Sequence, residues 1–275
     1  MPFDLKQPIQ NYPLVAFDTE TSGAYPIESE IIELGAVKWL NGKVVGKFQT
    51  LLKPSKPLVA DNIRIHGITN EMVADAPNRG SEIGKFCEFI EGSILFAHHA
   101  PFDLGFLTLE IEKNALKFPS SLHLCSSLIS RALLQTTNHK LQTLIKELHL
   151  EGGAAHRAYD DAYACLQVIF KCFEKLEPNV TVGRLLEIQK KEITWDKYRI
   201  FSSNNQKILS LAKACLSNAT IDIIYEGGQT KSKARPIRPK GIVRNPDGDY
   251  IHAECGIDLE RKRFYIDKII DFELT

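Results

Sequence analysis

No apolar run in this 275-residue sequence approaches the roughly 20 residues needed to cross a bilayer, which argues against a membrane-spanning helix. The opening Met1-Pro2-Phe3-Asp4-Leu5-Lys6 lacks the basic start and long apolar core of a secretory signal, so a cytoplasmic protein with no membrane partner is expected. Net charge is missing as well. The 34 basic and 34 acidic residues cancel, so global charge argues neither for nor against a polyanionic partner. The six cysteines (Cys87, Cys125, Cys165, Cys172, Cys215, Cys255) include no CxxC pair. That spacing resembles neither a disulfide framework nor a zinc site, and free thiols are expected. What asymmetry there is lies in the distribution of charge. Residues 1–176 sum to −3 and residues 177–275 to +3, and six basic residues with no acidic one fall between Lys231 and Arg244.

The length suits one large domain or two ordinary ones. The apolar run Leu14 to Phe17 reads as a buried strand that ends in Asp18-Thr19-Glu20. Strand residues two apart share a face, so Asp18 and Glu20 stand side by side with Thr19 between them as a spacer. Two acids at a strand end facing water are one explanation. The other is that their repulsion is compensated by a divalent cation, for which oxygen ligands favour magnesium or manganese. Ile31 to Trp39 and Lys43 to Leu52 read as two further strands joined by the hairpin signal Asn41-Gly42. An antiparallel start of this kind argues against an all-parallel sheet.

Helices then alternate with strands. Ile83, Phe86, Phe89 and Ile90 mark an amphipathic helix, and Ser93 to Ala97 a short strand. Pro101 suits a first helical residue, which places Asp103 in the first turn of a helix whose core face is Leu104, Leu107 and Ile111. A strand is expected over 122–128 and helices over 128–135 and 139–148. A last helix opens with His156-Arg157-Ala158-Tyr159-Asp160-Asp161. Ala164, Cys165, Val168 and Cys172 follow Asp161 at helical spacing, so this acid lies on an apolar face while Asp160 points elsewhere. A helix-dipole role in the first turn and a ligand role both fit Asp161.

The four carboxylates Asp18, Glu20, Asp103 and Asp161 at strand ends and helix starts are the composition expected for two-metal phosphodiester hydrolysis. His156 could take the proton from the attacking water. Phe17-Asp18-Thr19-Glu20-Thr21, His98 to Leu107 and His156 to Ala162 closely resemble the three motifs of the DEDDh 3′–5′ exonucleases, the DnaQ-like family that includes proofreading exonucleases. The resemblance covers residues 12–176 and implies an RNase H-like fold. It implies two Mg2+ or Mn2+ ions on Asp18, Glu20, Asp103 and Asp161, and His156 as general base toward a nucleic acid with a free 3′ end. Ile65-His66-Gly67-Ile68-Thr69 resembles the family segment beside the scissile nucleotide, so Phe17, Thr21, His66 and Phe102 are expected to hold the last nucleotide. For Phe17 and Phe102 core packing is the competing role, and for His66 that of a satisfied polar residue in a turn. His99 stands where the family usually carries Asn.

Beyond Pro178, Val182 to Ile193 and Asn205 to Leu216 read as helices, followed by short strands over 221–225, 234–243, 250–256 and 263–266. This register is similar to a WYL domain, which implies an SH3-like β-barrel that binds nucleic acid or another anionic ligand. Arg235, Arg238, Arg244, Arg261 and Arg263 are its candidate phosphate contacts, against the alternative of solvated edge-strand charges. The expected architecture is thus an α/β exonuclease domain (10–176) with a mixed sheet flanked by helices, a helical linker (177–202) and a small WYL-like barrel (203–275). The leading functional expectation is a 3′–5′ exonuclease acting on single-stranded DNA, within or beside a polymerase or repair complex. A non-catalytic regulator and an RNA-trimming exonuclease are the alternatives.

Overall fold

Period-two alternation in the first strand sets up two cores, one on each side of a sheet. In the computed structural model, which describes residues 3–227 and 234–274, the chain forms β1 (Leu14–Thr21), β2 (Ile31–Leu40), β3 (Lys43–Leu51), α1 (Ala60–His66), α2 (Asn70–Val73), α3 (Arg79–Ile90), β4 (Ile94–Ala97), α4 (Pro101–Lys113), β5 (Leu122–Cys125), α5 (Ser126–Leu133), α6 (Leu141–Glu147) and α7 (Ala158–Phe173). The sheet order is β3-β2-β1-β4-β5. β1, β2 and β3 run antiparallel, whereas β1, β4 and β5 run parallel. Asn41 (φ 50°) and Gly42 (φ 83°) both adopt the left-handed conformation that a two-residue hairpin turn needs. The mixed sheet flanked by helices is therefore as expected.

Leu14 and Ala16 pack with Val37, Ile94 and Phe96 against α7 through Cys165, Val168 and Ile169. Val15 and Phe17 face the other way, toward Ile83 and Phe86 of α3 and Leu104 and Leu107 of α4. Burial on both faces explains why β1 reads as a continuous apolar run. α4 is buried on nearly all sides. Leu104, Leu107 and Ile111 serve the first core, while Leu109 joins the core of the second sheet.

That second sheet follows α8 (Val182–Gln189), α9 (Trp195–Tyr198) and α10 (Gln206–Ser217). Its strands are β6 (Ile221–Tyr225), β7 (Ala234–Val243), β8 (Tyr250–Cys255), β9 (Arg261–Tyr265) and β10 (Ile269–Leu274), in the order β10-β6-β7-β8-β9 and antiparallel throughout. Among the described residues β9 and β10 do not pair, so the sheet is open rather than the closed barrel expected. Ile208, Leu211 and Ala212 of α10 lie over Ile221, Ile223, Ile237 and Ile251. A helix thus covers the apolar face that barrel closure would otherwise bury.

Other departures are local. β5 ends at Cys125 and α5 begins at once with Ser126. α8 stops at Gln189, where Lys190 turns left-handed (φ 60°). β10 had no counterpart among the expected strands. Gly228, Lys231 and Lys233, part of the expected turn and basic run, lie outside the described residues. Among the described residues no helix is long and apolar enough to cross a membrane.

Candidate active site

The two-residue period places Asp18 and Glu20 on the α7 face of β1 and Thr19 on the α4 face. Thr19 meets Asp103 there. Its backbone N–H (3.0 Å) and its hydroxyl (2.9 Å) both donate to Asp103 Oδ1. Asp161 projects from the first turn of α7, where it accepts from the His156 backbone N–H (3.0 Å) and from Gln142 Nε2 of α6 (3.2 Å). His156 precedes α7 rather than belonging to it. It is exposed and left-handed (φ 58°). Ligand atoms of Glu20, His156 and Asp161 lie within 4.8 Å of one another, a grouping that could hold a metal ion. Asp18 and Asp103 fall outside that trio, but their charges act on each other and on Asp161.

Electrostatics mark the site as anionic and uncompensated. Burial, then repulsion from Asp103, Glu20 and Asp161, pushes the Asp18 carboxyl well above the ordinary carboxylate range. Burial, then Asp161 and Glu33, pushes Glu20 up to about 8. Burial raises Asp103 to about 7 against the opposing Thr19 hydrogen bonds, and burial also raises Asp161. Carboxyls raised in this way are short of positive charge. The donor set therefore fits hard divalent cations, which take carboxylate oxygens.

Two residues that the sequence reading missed set where α7 lies. Gly35 pairs with Asp18 across the sheet, and a Cβ there would sit 2.1 Å from the Tyr159 backbone nitrogen. Only glycine lets the start of α7 lie this close to β2. A glycine inside a strand pattern is the signal that could have found it. Glu33, paired with Glu20, is fully buried and accepts from Arg157 and from the backbone N–H of Ala158, the first residue of α7. Burial works to raise its carboxyl, but these bonds and one from Gln49 outweigh it and leave Glu33 below its ordinary value. Asp160 instead binds Ala154 N–H (2.9 Å), holding the loop before α7.

The expected nucleotide contacts separate. His66 is buried, and its Nδ1 accepts from Ile68 N–H (3.0 Å) while Nε2 has no hydrogen-bond partner. The Thr21 hydroxyl donates to the Gly23 carbonyl (2.7 Å). Phe102 is partly exposed beside Phe106. The Phe17 side chain is a correction. It is 1% exposed and packs against Phe86, because odd residues of β1 face the α3–α4 core. His99 adopts φ 74°, a conformation in which Asn and His are enriched, so the two residue types meet the same backbone demand.

The five arginines do not form one surface. Arg238, Glu254 and Arg261 stand in register on the outer face of β7, β8 and β9, and Arg263 pairs with His252 on that face. Arg235 has the parity of Ile237 and lies near the Phe264 ring on the core side. Arg244 is largely buried, bound to Asp249 (3.0 Å) and to the Arg199 carbonyl, which corrects its assignment as a surface contact. The outer face also meets the loop after β1. Tyr25 stacks on His252 (3.7 Å between rings) and Glu28 pairs with Arg261 (3.0 Å).

An exonuclease family model, RNase_T, matches residues 15–169. The chain is 38% identical over 164 residues to the PolC-type DNA polymerase III of Caldanaerobacter subterraneus subsp. tengcongensis, a match covering 59% of this chain and 12% of that polymerase. It is 33% identical over 187 residues to the PolC-type DNA polymerase III of Thermotoga petrophila, covering 68% and 14%. The chain therefore spans only a small part of the length of the curated relatives it matches. Among solved structures it is similar to exonuclease X in complex with 5′ overhanging duplex DNA, with 26% identity, a TM-score of 0.50, and coverage of 64% of this chain and 99% of that one. Exonuclease I of E. coli, in complex with a dA16 oligonucleotide, shares the fold at 14% identity with a TM-score of 0.55, over 96% of this chain and 63% of that one.

Proposed function

The chain belongs to the RNase_T exonuclease family, and we propose that it is a metal-dependent 3′–5′ exonuclease that trims single-stranded DNA to nucleoside 5′-monophosphates. The observation that carries this reading is the convergence of Glu20, His156 and Asp161 within 4.8 Å, beside two further carboxyls, Asp18 and Asp103, raised chiefly by burial and further by neighbouring acids. Asp18, Glu20, Asp103 and Asp161 would hold divalent cations, Mg2+ or Mn2+ and two in number. Such cations supply a water-derived nucleophile at neutral pH and stabilise the leaving oxygen.

The protein's own residues supply the rest. Thr19 orients Asp103, and Gln142 with the His156 backbone orients Asp161. The exposed His156 imidazole, grouped with Glu20 and Asp161, would take the proton from the attacking water as general base. Because His66 Nδ1 accepts a hydrogen bond, its neutral ring carries the proton on Nε2. That buried donor has no partner and would meet an oxygen of the terminal nucleotide. The Phe102 ring offers a face for stacking a base, and Thr21 shapes the adjoining loop.

DNA as substrate is supported by the relatives, which are DNA polymerases by name, and by the DNA bound to exonuclease X. Residues 10–176 would form the catalytic domain and 177–202 the linker. Residues 203–275, a WYL-like unit, would hold an anionic strand or ligand through Arg238, Arg261 and Arg263. A polymerase or repair complex would present the frayed 3′ end. Comparative digestion of single-stranded DNA, duplex DNA and RNA in Mg2+ or in chelator tests the assignment. Degradation of RNA in preference to DNA would replace it with the exoribonuclease reading.

A further inference from the structure

We propose that Glu33 is a positioning residue that keeps the cation site anionic, by holding Arg157 away from Glu20 and pinning the first turn of α7 to β2. The inference rests on the reading of Asp18, Glu20, Asp103 and Asp161 as cation ligands.

Glu33 is fully buried, and a carboxylate there must be paired. Its Oε1 accepts from Arg157 Nη2 (2.8 Å) and Gln49 Nε2 (3.3 Å), and its Oε2 from Arg157 Nε (3.1 Å) and Ala158 N–H (3.1 Å). Both oxygens are thus occupied by the protein, so Glu33 is not a further ligand. The guanidinium meets it with two nitrogens, the fork geometry that a lysine cannot reproduce.

Position gives this pair its consequence. Glu33 stands directly across from Glu20 on the same face of the sheet. Arg157 directly follows His156, and its charge also acts on Glu20. Besides Glu33, the guanidinium already feels the charges of Asp160 and Glu20. Released from Glu33, it would be free to pair with Glu20 and compete with a divalent cation for the same oxygens. Glu33 prevents this, and its bond to Ala158 N–H fixes the start of the helix that carries Asp161.

The test compares the full chain with Glu33→Gln, Arg157→Gln and the double variant, reading Mn2+ binding by calorimetry beside kcat, KM and melting temperature. In E33Q, Mn2+ affinity should fall about ten-fold, with kcat at limiting Mn2+ lowered and the KM for DNA little changed. R157Q should keep Mn2+ affinity while losing melting temperature. The double variant should recover Mn2+ affinity to within about three-fold of wild type, because no free guanidinium remains. Equal affinity in wild type and E33Q, or a double variant as weak as E33Q, would overturn the inference alone. A wild-type chain that binds no Mn2+ would overturn the ligand reading and this inference with it. If E33Q does not fold, Arg157→Lys carries the test. It should weaken Mn2+ binding with Glu33 intact, and an unchanged affinity would overturn the inference.

Discussion

Thr19 grips Asp103 twice, through its backbone N–H and its hydroxyl, and both donors go to the same oxygen, Oδ1. The residue between the two strand acids is therefore more than a spacer. It ties β1 to α4 and fixes how a third carboxylate enters the site. Thr19→Val keeps the shape and removes one donor. Loss of about 1–1.5 kcal/mol of orientation corresponds to a fall in kcat of about ten-fold, with far-UV circular dichroism unchanged. Wild-type turnover in this variant would show that the backbone N–H alone suffices.

Gly35→Ala is expected to be far more damaging than its one methyl group suggests. The added carbon would meet backbone atoms of Ala158 and Tyr159, at 2.1 Å for the nearest, and backbone cannot rotate away. α7 would be pushed off β2, taking Asp161 from Glu20. Activity should drop more than about a hundred-fold, with a stability loss of about 2–3 kcal/mol by denaturant unfolding. Gly84→Ala is the control. In α3 its nearest neighbour would be 4.0 Å away, so it should leave activity intact and stabilise by about 0.5–1 kcal/mol.

Local periodicity made part of this site legible. Period two aligned Asp18 with Glu20, and the helical repeat singled out Asp161 over Asp160. The same parity already puts Phe17 on the opposite face from the neighbouring Asp18, so its burial was readable as well. Glu33 and Gly35 carried weaker signals, because their roles exist only where β2 meets α7 across more than a hundred residues of chain. The open second sheet was hidden for a related reason. Strand spacing says nothing of α10, which covers the face that closure would bury. The basic run looked like one surface, yet strand parity divides Arg235 from Arg238, and Asp249 removes Arg244.

The metal-free site should make stability depend on pH in a definite direction. Burial and repulsion raise Glu20 to about 8, and burial raises Asp103 to about 7. Unfolded carboxyls titrate near about 4, so between there and about pH 8 the folded chain binds more protons than the unfolded one. Stability in chelator should thus fall as pH rises through that window. Mn2+ should raise the melting temperature more at pH 8.5 than at pH 5.5, and Glu20→Gln should flatten the slope. A slope in chelator no flatter in Glu20→Gln than in wild type would contradict the uncompensated charge at this residue.

The second sheet separates binding from folding among its arginines. Arg238→Ala and Arg263→Ala should each reduce the salt dependence of single-strand binding by about one unit of log–log slope, at unchanged stability. Arg244→Ala should instead cost about 1–2 kcal/mol of stability, because it removes the ion pair with Asp249, which keeps only the Asn245 N–H, and leaves the Arg199 carbonyl without this donor. Unchanged salt slopes would remove the outer face from substrate binding.

The central claim, metal-dependent removal of nucleotides from a 3′ end by the acidic cluster, is tested most directly with one 5′-labelled single-stranded DNA. Digestion by the purified full chain in Mg2+ should give a ladder shortening one nucleotide at a time and release nucleoside 5′-monophosphates. Chelator, Asp161→Asn and His156→Ala should each abolish it. Internal cuts, or a ladder that persists at the wild-type rate in Asp161→Asn, would contradict the account.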